Sequence, residues 1–269
     1  MNANFPKPSM GVLNLKEGAR KFRLSRYAPS EDIGYFVKHF WVVSWDLTGQ
    51  DPYMQDVVPN PCVNAVIEKN KTAVYGVART KYSQLLQGNG LVFGIKFKPG
   101  GFYPFTGRPV SELTGQSIHF QTVFAADPRS IENIILSQQD EISMVALAED
   151  FIRPHLPARD ETIALIESII GRIIEERNIT RVDQLCLSFG INKRKLQRMF
   201  DQYVGVSPKW VIQLYRLQNA AEALDQDQQH DTLKLSMDLG YYDQSHFIRD
   251  FKAIVGMTPD QYARKGACG

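Results

Sequence analysis

Residues 191–200, INKRKLQRMF, place Lys193, Arg194, Lys195, Gln197 and Arg198 within six positions, interleaved with Leu196, Met199 and Phe200. An arginine can grip O6 and N7 of guanine with two donors at once, and a glutamine can do the same at N6 and N7 of adenine. Lysines beside them suit phosphate oxygens, which set register rather than sequence. Leu196, Phe200 and Tyr203 follow i, i+4, i+7 spacing, so a helix here buries an apolar stripe and turns Arg194, Gln197, Arg198 and Asp201 outward. Taken alone, such a stretch is most often a solvated helix face.

A second copy changes that weighting. FGINKRKLQRMFDQYVGVSP (189–208) aligns with LGYYDQSHFIRDFKAIVGMTP (239–259). Gly190 matches Gly240; after one inserted residue Leu196 meets Phe247, Arg198 meets Arg249, Phe200 meets Phe251, Gly205 meets Gly256 and Pro208 meets Pro259. Each glycine falls where a helix must stop and turn sharply, a place that favours positive φ. Four residues upstream stand Cys186 and Ser236, small enough for a second helix to cross closely, as a helix-turn-helix requires. The second outward face offers Gln244, Ser245, His246 and Arg249, tempered by Asp243 and Asp250.

These faces need a frame. Asn192 is a good N-cap for the first outward-facing helix. Ser207-Pro208 and Thr258-Pro259 read as N-cap plus N1 proline of following helices. Between the units, PKWVIQLYRLQNAAEALDQ (208–226) predicts one helix with Trp210, Leu214, Leu217, Ala221 and Leu224 inward. At 1.5 Å per residue it spans roughly 28 Å, close to the ~34 Å of one DNA turn. That spacing predicts recognition helices in successive major grooves, and their different sequences predict unlike half-sites.

The whole chain has 269 residues, enough for two domains, with 43% hydrophobic and 22% charged residues and a net charge of +2. The charge does not announce a nucleic-acid partner. Residues 160–269 hold 14 basic and 15 acidic residues, so the case for DNA rests on local placement. No apolar run is of membrane-spanning length and the N-terminus has no signal-peptide core, so the expected location is cytoplasmic. Cys62, Cys186 and Cys268 stand far apart and read as reduced thiols. Up to about residue 120, short β-branched and aromatic runs alternate with Gly, Pro and Asn; from 128 the period is helical. The expected architecture is α+β multidomain. A mostly-β N-terminal domain with a helical extension covers 1–152, RPHLPARDE (153–161) is the linker, and an all-α domain covers 162–269, with helix-turn-helix units at about 182–204 and 232–255.

Residues 182–264 resemble the DNA-binding domain of the AraC/XylS family of bacterial transcription regulators. The likeness runs through LCLSFGINKRKLQRMFDQYVGVSPKWV, YRLQNAAEAL and the highly specific LGYYDQSHFIRDFKAIVGMTPDQY. It implies a sequence-specific DNA-binding transcription factor whose base-reading sites fall on Arg194, Gln197 and Arg198, and on Ser245, His246 and Arg249. Lys193, Lys195 and Gln244 complete the expected DNA-binding set. The resemblance further implies RNA polymerase and a second copy of the chain as partners beside double-stranded DNA. FGIKFKPGGFYPFTGRPVSELTG (93–115), with FVKHFWVVSW and VVPNPCVNAVIE, resembles a domain often fused to such units. In that family these domains bind a small effector or dimerise, many on a cupin-like barrel.

Nothing in the N-terminal half predicts catalysis. His39, His119, His155, His230 and His246 are scattered without metal-ligand spacing, and no GxSxG, P-loop or GxGxxG is present. A zinc-cysteine alkylation sensor needs four clustered cysteines where only Cys62 stands. No metal or cofactor is expected. Trp41, Trp45, Phe93 and Phe97, with Tyr75, are candidates to line an apolar effector pocket, although strand aromatics are more often core. KPGG (98–101) offers backbone amides to an anion or is an ordinary turn. The alternative is a domain that only dimerises or contacts a protein partner.

Overall fold

A computed structural model of the chain describes residues 18, 20–226 and 232–267. Eight strands occupy the N-terminal half: β1 (Arg23–Tyr27), β2 (Val37–Leu47), β3 (Tyr53–Val57), β4 (Asn64–Glu68), β5 (Ala73–Tyr75), β6 (Tyr82–Leu86), β7 (Gly88–Phe97) and β8 (Ser117–His119). Six form one antiparallel sheet in the order β1-β2-β7-β4-β5-β8, and β3 pairs with β6 in a separate ribbon. The N-terminal region is mostly β, as expected. The cupin-like closure is not seen in the hydrogen bonding: among the described residues β1 and β8 remain the two edges of an open sheet.

Alternation along the strands decides what each face does. Phe40 and Val42 of β2, Phe93, Ile95 and Phe97 of β7, and Ala65 and Ile67 of β4 all point to one side. There they meet Ile131 and Ile135 of α3 (Pro128–Leu136) and Met144, Ala148 and Ile152 of α4 (Glu141–Ile152), which follow the short helices α1 (Tyr103–Thr106) and α2 (Phe120–Phe124). Asp127 and Asp140 cap α3 and α4 by accepting from Arg129 N and Ser143 N. On the opposite face, Val43 and Trp45 pack with Phe22, Leu47, Leu86 and Tyr53, joining sheet and ribbon.

The C-terminal half is helical: α5 (Glu161–Glu175), α6 (Val182–Phe189), α7 (Lys193–Tyr203), α8 (Pro208–Gln226), α9 (Thr232–Asp238), α10 (Gln244–Val255) and α11 (Pro259–Ala267). Two cores hold it. One joins α5, α6, α7 and the start of α8 through Ile166, Ile169, Leu185, Leu196, Phe200 and Val211; the other joins the rest of α8 to α9, α10 and α11 through Leu214, Leu217, Leu235, Phe247, Phe251 and Tyr262. Both reach into the N-terminal half, the first taking Val77 and the second Val58. The 153–161 stretch is a 3-10 turn, Arg153–His155, followed by extended chain to Asp160, which caps α5 by accepting from Thr162 N at 2.9 Å. Cys62 and Cys186 are free thiols; Cys268 lies outside the described residues.

Candidate nucleic-acid interface

Helices α6 and α7 form the first helix-turn-helix. Gly190 adopts φ 61° at the end of α6, and its neighbour Ile191 donates its N–H back to the Cys186 carbonyl at 3.1 Å. Asn192 then caps α7, its side chain accepting from Lys195 N at 2.8 Å. The start of α6 is fixed by Gln184, whose side chain accepts from Thr180 N and Arg181 N. Leu196, Met199 and Phe200 are buried, which leaves Lys193, Arg194, Lys195, Gln197, Arg198 and Asp201 exposed. Arg194 and Arg198 have no ion-pair partner among the described residues, whereas Lys193 Nζ lies 3.1 Å from the Asp183 carboxylate. That exposed pair is worth little, so Lys193 can exchange it for a phosphate. The first turn of α7 carries three cations and no acid, the reverse of what the helix dipole favours. A bound phosphate would reverse that penalty.

Helices α9 and α10 repeat the unit. Gly240 adopts φ 73° and Tyr241 N donates to the Ser236 carbonyl at 2.9 Å, matching the contact from Ile191 to Cys186. Ser236 is buried and Cys186 half-buried, so both small residues lie where the helices cross. Asp243 caps α10, accepting from Ser245 N and His246 N at 3.0 and 3.3 Å. Phe247, Phe251, Ile254 and Val255 face inward, while Ser245, His246 and Arg249 are exposed and Gln244 half-buried. The acids read from sequence as tempering this face do other work. Asp243 is the cap, and Asp250 lies 3.4 Å from His246 Nε2 and accepts from Tyr241 Oη at 3.3 Å. Arg249 has no ion-pair partner among the described residues.

Gly205 and Gly256 end α7 and α10 at φ 87° and 89°. Ser207 Oγ then accepts from Trp210 N, and Thr258 Oγ1 accepts from Gln261 N while the Gln261 side chain accepts from Thr258 N. Helix α8 runs unbroken between the units with Leu214, Leu217, Ala221 and Leu224 buried; Trp210 is half-buried. Sequence reasoning missed Arg216. From α8 it donates through Nε and Nη2 to the Leu239 carbonyl, and its guanidinium stands 4.3 Å from the centre of the Tyr241 ring. It ties the spacer to the turn of the second unit. The arginine was visible in YRLQNAAEAL, but its partner lies 23 residues away and only the fold brings them together.

The aromatic effector set divides. Phe93 and Phe97 are fully buried beside Phe40 and Val42, so they are core and line no pocket. Trp41 and Trp45 sit on the other face of the same sheet, because β7 pairs Gly94 and Gly90 with them. Tyr75 stands exposed on β5. KPGG is a packing turn: Gly101 N donates to the Lys98 carbonyl, Gly100 at φ 87° abuts Ile166, and Lys98 Nζ pairs with Glu167 of α5 at 3.1 Å. Among the described residues no group of three or more His, Cys, Asp or Glu could hold a metal, and no helix is long and apolar enough to cross a membrane.

The geometry defines a protein with two helix-turn-helix units carried on one spacer helix. Residues 185–265 match the model of a helix-turn-helix domain, and residues 25–119 match a domain of unknown function, DUF6597. An uncharacterised HTH-type transcriptional regulator of Haemophilus influenzae is 30% identical over 97 residues, 36% of this chain and 32% of that protein. The F1 operon positive regulatory protein of Yersinia pestis is 37% identical over 99 residues, 36% and 33% of the two chains. The chain thus aligns with about a third of the length of each of these curated relatives. The solved structure of ToxT from Vibrio cholerae covers 91% of this chain and 98% of its own at 11% identity, with a TM-score of 0.37, too low to define a shared fold. By the models matched, this chain carries a helix-turn-helix domain behind a domain of unknown function, DUF6597.

Proposed function

We propose that the protein is a sequence-specific, DNA-binding transcription regulator, reading two successive major grooves with α7 and α10 and modulated by a small molecule held in its N-terminal domain. One observation carries this reading. Two capped helices at equivalent positions of a repeated fold both turn an arginine to the outside, Arg198 and Arg249, neither with an ion-pair partner among the described residues. Arg194, Gln197 and Arg198 read bases in the first unit and Ser245, His246 and Arg249 in the second. Lys193, Lys195 and Gln244 contact the backbone. The domains divide at the 153–161 stretch. A second copy of the chain and RNA polymerase are further partners, the location is the cytoplasm, and no catalytic step is assigned.

Selection of genomic fragments by the full chain, followed by mobility shifts on the recovered site, tests this. Arg198→Ala and Arg249→Ala each weaken binding by about 1–3 kcal/mol and relax preference at one base position. If both variants select the parent's sequences with the parent's affinity, the base-reading assignment fails. If the parent recovers no preferred sequence, the regulator reading fails with it.

A further inference from the structure

The sheet face opposite the α3–α4 core bears a group that DNA binding does not use. Along β2, His39, Trp41, Val43 and Trp45 share this face, and the register sets Lys96 of β7 opposite His39 and Asn64 of β4 opposite Lys96. Facing pairs of this kind have Cβ atoms about 5 Å apart. Gly94 and Gly90 lie opposite Trp41 and Trp45, and the indoles occupy the space their Cβ atoms would take. A Cβ at Gly94 would fall 1.9 Å from Trp41 Cε2, and one at Gly90 2.1 Å from Trp45 Cζ2. Trp41 Nε1 also donates to Asn64 Oδ1 at a long 3.4 Å. The register therefore puts the indole of Trp41, lying over Gly94, beside the position of Lys96 on one sheet face.

The Lys96 ammonium has no close acceptor among the described residues. Lys96 is only partly open to solvent, yet among the described residues no carboxylate or other acceptor lies within hydrogen-bonding or ion-pairing range of it. Its amine is pushed down to about 8, first by burial; the Cys62 thiol opposes the shift, while Lys38 and Arg26 add to it. His39, buried beside it, is pushed down to about 3 by burial and then by Lys96, Arg26 and Lys38. A cation in a desolvated setting costs stability unless it is paired. Packing does not require it here, since Met fits a comparable space. Perturbed, unpaired groups gather at functional sites.

We propose that Lys96, backed by Arg26 and Lys38 and floored by Trp41, binds the carboxylate of a small amphiphilic organic acid. A compact single ammonium suits a monoanionic head, and the indole suits an apolar body. This site rests on the reading that a small molecule modulates the N-terminal domain, and it supplies that molecule's chemical class. It also has a route to the DNA-binding helices. Cys62 lies within electrostatic reach of both Lys96 and Tyr215 of α8, and Val58, four residues earlier, packs among Leu214 and Leu217 of α8. An acid that moves the 58–62 segment therefore acts on the helix that spaces the two readers.

The test titrates the full chain with 3-phenylpropionate, 3-phenylpropanol and 3-phenylpropylamine, one skeleton with three head groups. Tryptophan fluorescence and Tm are followed, and affinity for the selected DNA site is measured in parallel. The acid alone gives a saturable response and raises Tm. Lys96→Gln weakens the acid by at least about tenfold while Lys96→Arg largely keeps it, and both variants bind DNA like the parent when no acid is present. An equal response to acid and alcohol, no saturable response up to about 10 mM acid, or a Lys96→Gln variant that responds like the parent overturns the site. A chain that binds the acid through Lys96 but recovers no DNA sinks the regulator reading and leaves the site standing.

Discussion

Thr114 Oγ1 donates to the carbonyl of Gly205 at 2.6 Å, joining the N-terminal domain to the turn that ends α7. The equivalent turn of the second unit is touched as well: a Cβ on Gly256 would fall 2.3 Å from Lys81 Cδ. Around the first contact, Gln202 Nε2 donates to Tyr103 Oη at 2.5 Å, the Tyr103 and Tyr203 rings stand 4.3 Å apart, and Tyr203 Oη donates to Asp160 at 2.5 Å. The N-terminal half thus braces α7 and α10 at the same point of the repeat while leaving their outward faces exposed.

The two braces differ in stiffness, and substitution separates them. A methyl on Gly205 meets the Val110 carbonyl at 2.9 Å and Thr114 Oγ1 at 3.0 Å, whereas one on Gly256 meets the flexible methylenes of Lys81. Both positions have positive φ, which costs an alanine about 1 kcal/mol. Gly205→Ala adds a backbone clash and loses roughly 2–3 kcal/mol or more in urea unfolding. Gly256→Ala stays near the φ penalty alone. Equal losses would show that the first brace yields as easily as the second.

Arg216 is expected to support the second unit specifically. Removing its guanidinium by Arg216→Met strands the Leu239 carbonyl and deletes the stacking on Tyr241, a loss of about 2–3 kcal/mol. Arg216→Lys should not restore it, because a lysine lacks the two-pronged donor geometry. Footprinting would then show protection of the α7 half-site persisting while that of the α10 half-site fades. A uniform loss across both half-sites would place Arg216 in a global role instead.

How far the sequence disclosed all this depends on the range of the forces involved. The two helix-turn-helix units were legible because their determinants are local: Gly190 and Gly240 at the turns, Asn192 at a cap, Leu196 and Phe200 at helical spacing. The prolines at 208 and 259 likewise marked helix starts within one residue. The aromatic candidates part company for a non-local reason. Phe93 pairs with Val42 and Phe97, across a register shift, with Val37, while Trp41 and Trp45 pair with Gly94 and Gly90, so Phe93 and Phe97 leave the face of the two tryptophans, and only the register decides this. Strands β3 and β6 carry a weak signal, because YMQDV and YSQLL show little alternation and β6 is exposed along most of its length. The contacts of Val58 and Val77 with the helical cores carry no local signal at all.

The two lysines beside the first reader should behave differently in salt. Lys195 has no ion-pair partner among the described residues, while Lys193 is held by Asp183. Lys195→Ala should lower affinity evenly across sequences and reduce the salt slope by about one. Asp183→Ala should instead free Lys193 and leave the slope unchanged or slightly steeper. Binding isotherms at several salt concentrations measure both, and a changed base preference in Lys195→Ala would contradict a phosphate role.

The amine of Lys96 also fixes a pH dependence with a definite sign. Its folded value is depressed to about 8 from an ordinary 10.5. Folding therefore disfavours the protonated form, and the penalty is fully present below about pH 8. It is relieved as pH rises from about 8 toward 10.5, where the unfolded chain loses the same proton. Lys96→Met abolishes the penalty and should stabilise the protein at pH 7 by about 1–3 kcal/mol, the larger figure being the ceiling set by the shift. The gain over the parent should shrink when unfolding is repeated near pH 10. A variant less stable than the parent at pH 7, or a gain that does not fall with rising pH, would mean that the Lys96 ammonium is well solvated in the folded chain, and the strain attributed to it would be absent.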